Sequence, residues 1–217
     1  MSTPSTRRTR KRLATRQCIS DAATRLFNQR GFDGVTVDDI AEAADVGRMT
    51  VFNHFSRKED MFFDLDEEGR DDLREALYGR DSGVSPIEGL RLFAHRVVAE
   101  QRSYIRFFAD SPKFIQTIAD SETLKARARA IRDELAAIVQ DILAESVGRD
   151  PSDADAHLAA NLLLATWAAA FLQAHRAFQR NGDGKEAQRL FLAIVDRGSD
   201  GVVAAMADTP YAQRHDE

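Results

Sequence analysis

Apolar residues recur three and four positions apart from one end of this 217-residue chain to the other, and no stretch alternates apolar with polar residues for more than a few positions. Side chains three and four apart share a helix face, whereas a half-buried strand needs a period of two, so the expected class is all-α. The reading gives about nine helices, arranged as an N-terminal three-helix unit and a C-terminal antiparallel helical bundle. A first helix is expected over 12–30, with Ile19, Ala22, Ala23, Leu26 and Phe27 on one face and Gly31 ending it. Thr36 and Asp39 form a capping-box-like start for a short helix carrying Val37, Ile40, Ala41 and Ala44. A turn at Asp45 and Val46 leads into a second short helix over 47–54, and Ser56 with Glu59 caps a fourth helix reaching Tyr78.

Further along, Ser85, Pro86 and Glu88 supply the start of a helix with Ile87, Leu90, Phe93, Ala94 and Val97 inward. Ser111-Pro112 breaks the chain, a long helix is expected over 122–147, Ser152 caps another to Gln179, and a last helix over 185–206 closes a hairpin. The implied segments are a flexible basic arm over 1–11, a helix-turn-helix unit over 12–56 and a connecting helix over 57–79. A ligand-binding and dimerisation body over 80–208 and a flexible tail over 209–217 complete the chain.

Hydrophobic residues make up 43% of the chain and charged residues 30%, the balance of a folded globular protein. The net charge of −5 is unevenly spread: residues 1–60 carry 11 Lys and Arg against 8 Asp and Glu, so the acidic excess lies in the remainder. Arg7, Arg8, Arg10, Lys11, Arg12 and Arg16 form an acid-free run that suits a polyanion and also reads as a solubilising terminus. No apolar run follows these basic residues, and Leu158–Leu172, the most apolar stretch, is shorter than the roughly 20 residues of a bilayer span. The expectation is a cytoplasmic protein without membrane association, with Leu158–Leu172 in a buried helix and the lone Cys18 a small core filler.

Two short helices joined by a tight turn inside a three-helix unit make a helix-turn-helix. The second begins just after the turn, so Arg48, Met49, Thr50 and Asn53 can point outward while Val51 and Phe55 point inward. Arg reads guanine edges and Asn reads adenine, and Lys58 with the helix starts at Thr36 and Ser56 offers a phosphate clamp. The ordered set Ala22-Ala23, Leu26-Phe27, Gly31-Phe32, Thr36-Val37, Ile40-Ala41, Ala44, Val46, Thr50-Val51-Phe52-Asn53-His54-Phe55 and Lys58-Glu59 closely resembles the DNA-binding domain of TetR-family regulators, over about residues 12–62. The resemblance implies backbone contacts from Thr36, Thr50, His54 and Lys58, and base contacts from Arg48, Met49 and Asn53. It further implies a homodimer on palindromic double-stranded DNA and a C-terminal domain for a small-molecule effector.

Three positions depart from the family pattern. Asp45 stands where Gly is usual in the turn and tolerates the left-handed conformation. Phe52 replaces the usual Tyr, filling the apolar slot without a hydroxyl for phosphate, and Gly47 replaces a frequent capping Ser.

The second body carries Phe93, Phe107, Phe108, Phe114, Trp167, Phe171, Phe178 and Phe191. Each ring alone reads as core; with the resemblance, Phe93, Phe107, Trp167 and Phe171 become candidates to line a site for an apolar or aromatic ligand, with His175 as a polar anchor. Small residues Ala165, Ala168, Ala169, Ala193, Ala204 and Ala205 on the last two helices would let a symmetry mate approach closely and form a four-helix interface. The expected function is therefore a sequence-specific DNA-binding regulator, a repressor released by such a ligand. A ligand-independent DNA-binding dimer or a protein-docking accessory stays open, and an α-helical enzyme is the further rival. The sequence offers no Gly-rich phosphate loop, no Gly-x-Ser-x-Gly elbow and no His pair at ligand spacing. Asp153 and His157, one turn apart, read as an exposed pair rather than metal ligands, so neither metal nor cofactor is expected.

Overall fold

The computed structural model describes residues 4–64, 66–105, 107 and 111–212, and these form two compact units. Among the described residues there are ten α-helices and one turn of 3-10 helix, Ser103–Ile105. The first unit holds α1 (Pro4–Arg30), α2 (Val37–Ala43), α3 (Arg48–Phe52) and α4 (Lys58–Phe62), together with residues 116–127. The second holds α5 (Asp66–Tyr78), α6 (Pro86–Ala99), α9 (Ala154–Asn181) and α10 (Gly184–Ala205). Two further helices, α7 (Ser111–Asp120) and α8 (Glu122–Ser146), contribute residues to both units.

In the first unit, α1 starts at Pro4 rather than near Arg12, so residues 4–11 continue the helix instead of forming an irregular arm. Nothing between Ser5 and Arg12 breaks a helix, Arg and Lys are good helix formers, and Pro suits a helix's first turn. The chain leaves α1 through Gly31 at φ +75°, its N–H bonded to the Phe27 carbonyl at 3.0 Å. Thr36 then caps α2 reciprocally: its hydroxyl accepts from the Asp39 N–H at 3.1 Å, and the Asp39 carboxylate accepts from the Thr36 N–H at 2.7 Å. Ile19, Ala22, Ala23, Leu26 and Phe27 of α1 close over Phe32, Val35, Ile40, Ala41, Val51, Phe55 and Met61 in one buried cluster.

Three further expectations in this unit are corrected. The fourth helix is not continuous to Tyr78, because α4 ends at Phe62 and α5 begins only at Asp66. Its cap is Arg57, whose N–H donates to the Asp60 carboxylate at 3.1 Å, rather than Ser56 with Glu59. Cys18 is exposed, its Sγ 3.7 Å from the Ala44 carbonyl, beside a shallow open depression lined by Ala14, Gln17, Asp21, Arg25 and Ala43. Residues 116–127 join this core through Leu124, which is fully buried, and through Ile118. Ser121 donates to Asp33 at 3.1 Å and Arg127 to Asp60 at 3.0 Å. Ser111-Pro112 starts α7 instead of breaking the chain, a helix whose sequence signal was overlooked.

The second unit is organised by the α9–α10 hairpin. Asp153, not Ser152, caps α9 by accepting from the N–H groups of Asp155 and Ala156, each at 3.0 Å. Gly182 at φ +68° turns the chain, and Asp183 caps α10. Ala156, Ala159, Ala160, Leu163, Ala170 and Ala174 bury one face of α9, with Ala187, Phe191, Val195 and Val202 from α10 in the same cluster. By length and composition α9 is apolar enough to cross a membrane, yet its buried stripe belongs to this core. The opposite face, expected to be buried, exposes Leu158, Leu162 and Leu172. On α6, Arg91 and His95 both reach Asp196 of α10, at 3.2 and 2.7 Å. The expected flexible tail is in part packed: the Tyr211 ring is buried and its hydroxyl donates to Asp153 at 3.0 Å, while residues 213–217 lie outside the described residues.

Candidate DNA-recognition helix and ring-lined site

The turn between α2 and α3 is tight because Asp45 takes φ +52° and the Val46 N–H reaches back to the Ala41 carbonyl at 3.0 Å. That geometry starts α3 at once. Val51 and Phe55 are buried, and rotation around the helix puts Arg48, Met49, Phe52 and Asn53 on the solvent side. Met49 is 71% exposed, unusual for a side chain of its hydropathy unless something else covers it. The Arg48 guanidinium pairs with Asp38 at 2.7 Å and lies 5.5 Å from the Phe52 ring centroid. Both charged partners are well exposed, so the pair is worth about 0–1 kcal/mol and holds Arg48 in position without committing it. Phe52 does not fill an apolar slot; it is 39% exposed beneath Arg48.

The expected backbone-contact residues divide. Thr36 is exposed at the start of α2, with its hydroxyl engaged by Asp39, whose carboxyl those hydrogen bonds hold below the usual carboxylate range. Thr50 is half-buried on α3. His54 is half-buried just beyond it, and burial, then Arg12 and Arg16, push its pKa down. Lys58 is turned inward: its ammonium donates to the carbonyls of Phe32 and Val35, each at 2.9 Å, and sits 4.0 Å from the Phe32 ring centroid. As a phosphate contact it is corrected to a brace for the α1–α2 loop, because two loop carbonyls and a ring face outcompete solvent for its charge.

Arg16 was overlooked as part of this site. It donates to the His54 carbonyl at 2.7 Å and lies 4.1 Å from the Phe55 ring centroid, tying α1 to the C-terminal end of α3. The contact spans 38 residues, so no local spacing announces it. Arg8, Arg10, Lys11 and Arg12 are exposed on the α1 extension, and the first acid after them is Asp21. A cationic ridge thus runs from the α1 extension to α3.

In the second unit the five expected ligand residues are brought together. Trp167 stacks on Phe93 at 5.5 Å, and His175 sets its edge against Phe107 at 4.9 Å and Phe171 at 4.3 Å. Phe191, which sequence reasoning left among the general rings, joins the two halves at 5.6 Å from Trp167 and 6.3 Å from Phe107. Phe178 packs at the core margin, and Phe108 lies outside the described residues. His175 is buried, and burial pushes its pKa down to about 4, so it is neutral at physiological pH. Neither of its ring nitrogens has a hydrogen-bond partner among the described residues. Asp153 and His157 do not converge on a common ion: Asp153 serves the α9 cap and Tyr211, and His157 pairs with Gln140 at 2.8 Å.

Residues 19–65 match the family model described as bacterial regulatory proteins, tetR family. The HTH-type transcriptional repressor DhaR of Mycobacterium sp. is 25% identical over 189 residues, covering 85% of this chain and 91% of that protein. The HTH-type transcriptional regulator AcrR of Shigella flexneri is 39% identical over 61 residues, 28% of each chain. Among solved structures, SmeT, the repressor of the Stenotrophomonas maltophilia multidrug efflux pump SmeDEF, is 19% identical with a TM-score of 0.53, covering 86% of this chain and 89% of that one. Thermus thermophilus FadR, a transcriptional repressor in complex with lauroyl-CoA, is 23% identical with a TM-score of 0.51, covering 88% and 94%. These likenesses carry the fold, and the relatives are regulators rather than enzymes. The matched segment, residues 19–65, thus carries a helix-turn-helix DNA-binding domain of the tetR-family kind, and the chain is similar to a transcriptional repressor over most of its length.

Proposed function

We propose that the chain is a homodimeric repressor whose two α3 helices hold a palindromic operator and which leaves it when a small, largely apolar or aromatic molecule occupies the second unit. The observation that carries the DNA side is the exposed quartet Arg48, Met49, Phe52 and Asn53 on a helix otherwise packed into its unit. One short helix reads only a few base pairs, whereas a two-fold dimer reads half-sites about 34 Å apart. The unpartnered face of the hairpin suits that dimer: Leu158, Leu162, Leu172 and Val203 are exposed beside Ala165, Ala168, Ala169, Ala193, Ala204 and Ala205. Exposed apolar residues of this kind support reading the face as an interface. SmeT is known in a triclosan complex and FadR with lauroyl-CoA, which supports reading the ring cluster here as an effector site. An effector that favours the DNA-incompetent state by about 1–3 kcal/mol would weaken operator binding about 5–150-fold.

The test is selection of bound sequences from a random duplex library at fixed salt, with the wild type and Arg48→Ala. A palindrome should be enriched, and Arg48→Ala should relax particular positions within each half-site. Enrichment of no sequence by folded, dimeric protein would overturn the reading.

A further inference from the structure

Among the described residues, the second unit seals four side-chain polar atoms into its interior without a protein partner: Trp167 Nε1, both ring nitrogens of His175, and Ser199 Oγ. Buried polar groups are almost always paired, so a cluster of unpaired ones among rings calls for a complement. Their placement follows from the register of the hairpin. A Cβ added to Gly198 would overlap the Thr166 side chain, and one added to Gly184 would touch Phe178 at 4.0 Å. Residue 166 of α9 therefore faces 198 of α10, and 178 faces 184, in antiparallel order. Trp167 and Ser199, each one residue past that contact, accordingly lie within about 3 Å of one level, whereas His175 lies eight residues, about 12 Å, further along α9. Phe191, Phe107 and Phe171 occupy the apolar stretch toward His175, with the ring contacts already given.

Each end has its own chemistry. The Trp167 indole can only donate, so the group that meets it accepts; Ser199 beside it donates or accepts. Neutral His175 presents one donor and one acceptor nitrogen, which a hydroxyl or an amide complements. Among the described residues no charged side chain is buried within the cluster; Arg96 lies 5.6 Å from the Phe93 ring centroid but is exposed and donates to the Asp72 carbonyl. Arg176, Arg180, Arg189 and Arg197 are exposed on α9 and α10, and Asp196 is held by Arg91 and His95. An ionised group placed among these rings would be desolvated without repayment.

We infer that the site takes an uncharged, elongated aromatic molecule with a hydrogen-bond acceptor at the Trp167–Ser199 end and a hydroxyl or amide group at the His175 end. The inference rests on reading the ring cluster as an effector site, and the test separates the two. Trp167 is the chain's single tryptophan, so its emission reports this site alone. Full-length protein is titrated at pH 7.5 with biphenyl, 4-hydroxybiphenyl, 4,4′-dihydroxybiphenyl and 4,4′-biphenyldicarboxylate. The dihydroxy probe should bind most tightly, biphenyl more weakly and the dicarboxylate least. Ser199→Ala and His175→Leu, each shown folded by melting, should weaken the dihydroxy probe about 2- to 10-fold while leaving biphenyl within about 2-fold, as expected for losing one neutral hydrogen bond. Equal binding of biphenyl and the dihydroxy probe, or preference for the dicarboxylate, overturns the inferred ligand class while leaving a ring-lined site in place. Absence of a saturable change with all four probes overturns the effector-site reading and this inference with it.

Discussion

Lys58 shows how one side chain changes meaning once its surroundings are known. A lysine in the first turn of α4 reads from sequence as a phosphate contact, but its ammonium is spent on Phe32, Val35 and the Phe32 ring. Lys58→Ala should therefore cost about 1–3 kcal/mol of stability, the range for losing charge-assisted hydrogen bonds, measured by urea denaturation. The salt dependence of operator binding by the folded variant should stay at the wild-type slope. His175 sets an acid limit. The unfolded chain takes up this proton near pH 6.5 and the folded chain only near 4, so stability is full above the first value and is lost as pH falls toward the second. Melting temperature against pH should decline across that window in the wild type and decline less in His175→Leu. Residue identity was legible for Arg48, Met49 and Asn53, because outward position on α3 follows from the burial of Val51 and Phe55. The roles of Lys58, Arg16 and Ser199 were not, since each depends on groups distant in sequence.

At the scale of elements, the basic run becomes part of α1, which places the exposed Arg8, Arg10, Lys11 and Arg12 at helical spacing. Replacing Arg8 and Arg12 together by Ala should weaken binding to all DNA sequences alike and flatten the log K against log salt slope by up to about two units, as about 0.9 per lost phosphate contact requires. Fluorescence anisotropy at four or five salt concentrations would measure it, and an unchanged slope would remove the ridge from the DNA interface. The hairpin offers a different element-scale test. Gly198 lets α10 approach α9 at Thr166, and any larger residue must displace that side chain. Gly198→Ala should cost about 1–3 kcal/mol by overpacking, and Thr166→Ala in the same chain should restore most of it, as a double-mutant cycle would reveal. Helix positions were legible where an apolar stripe and a cap coincide, as for α2, α6 and α10. Boundaries failed where the stripe continued but the backbone did not, as between α4 and α5.

For the whole molecule, the exposed stripe on α9 and α10 is the surface proposed for the dimer. Ala169→Arg should convert the dimer to a monomer in sedimentation velocity, and operator affinity should fall by at least about 100-fold, since each half-site then contributes alone. The monomer should keep its helix content, because Ala169 is exposed within the chain itself. The sequence by itself determined the all-α class, the helix-turn-helix and the face of α3 left to solvent. These are local matters: periodicity, caps and a turn act over a few residues, and burial of an apolar stripe enforces them. Tertiary structure alone decided that residues 116–127 pack on the first core, that Lys58 faces inward, and that Trp167, His175 and Ser199 share an interior with Phe93, Phe107, Phe171 and Phe191. Such pairings join residues tens of positions apart, and their free energy comes from which surfaces finally exclude water together, a quantity that no local pattern encodes.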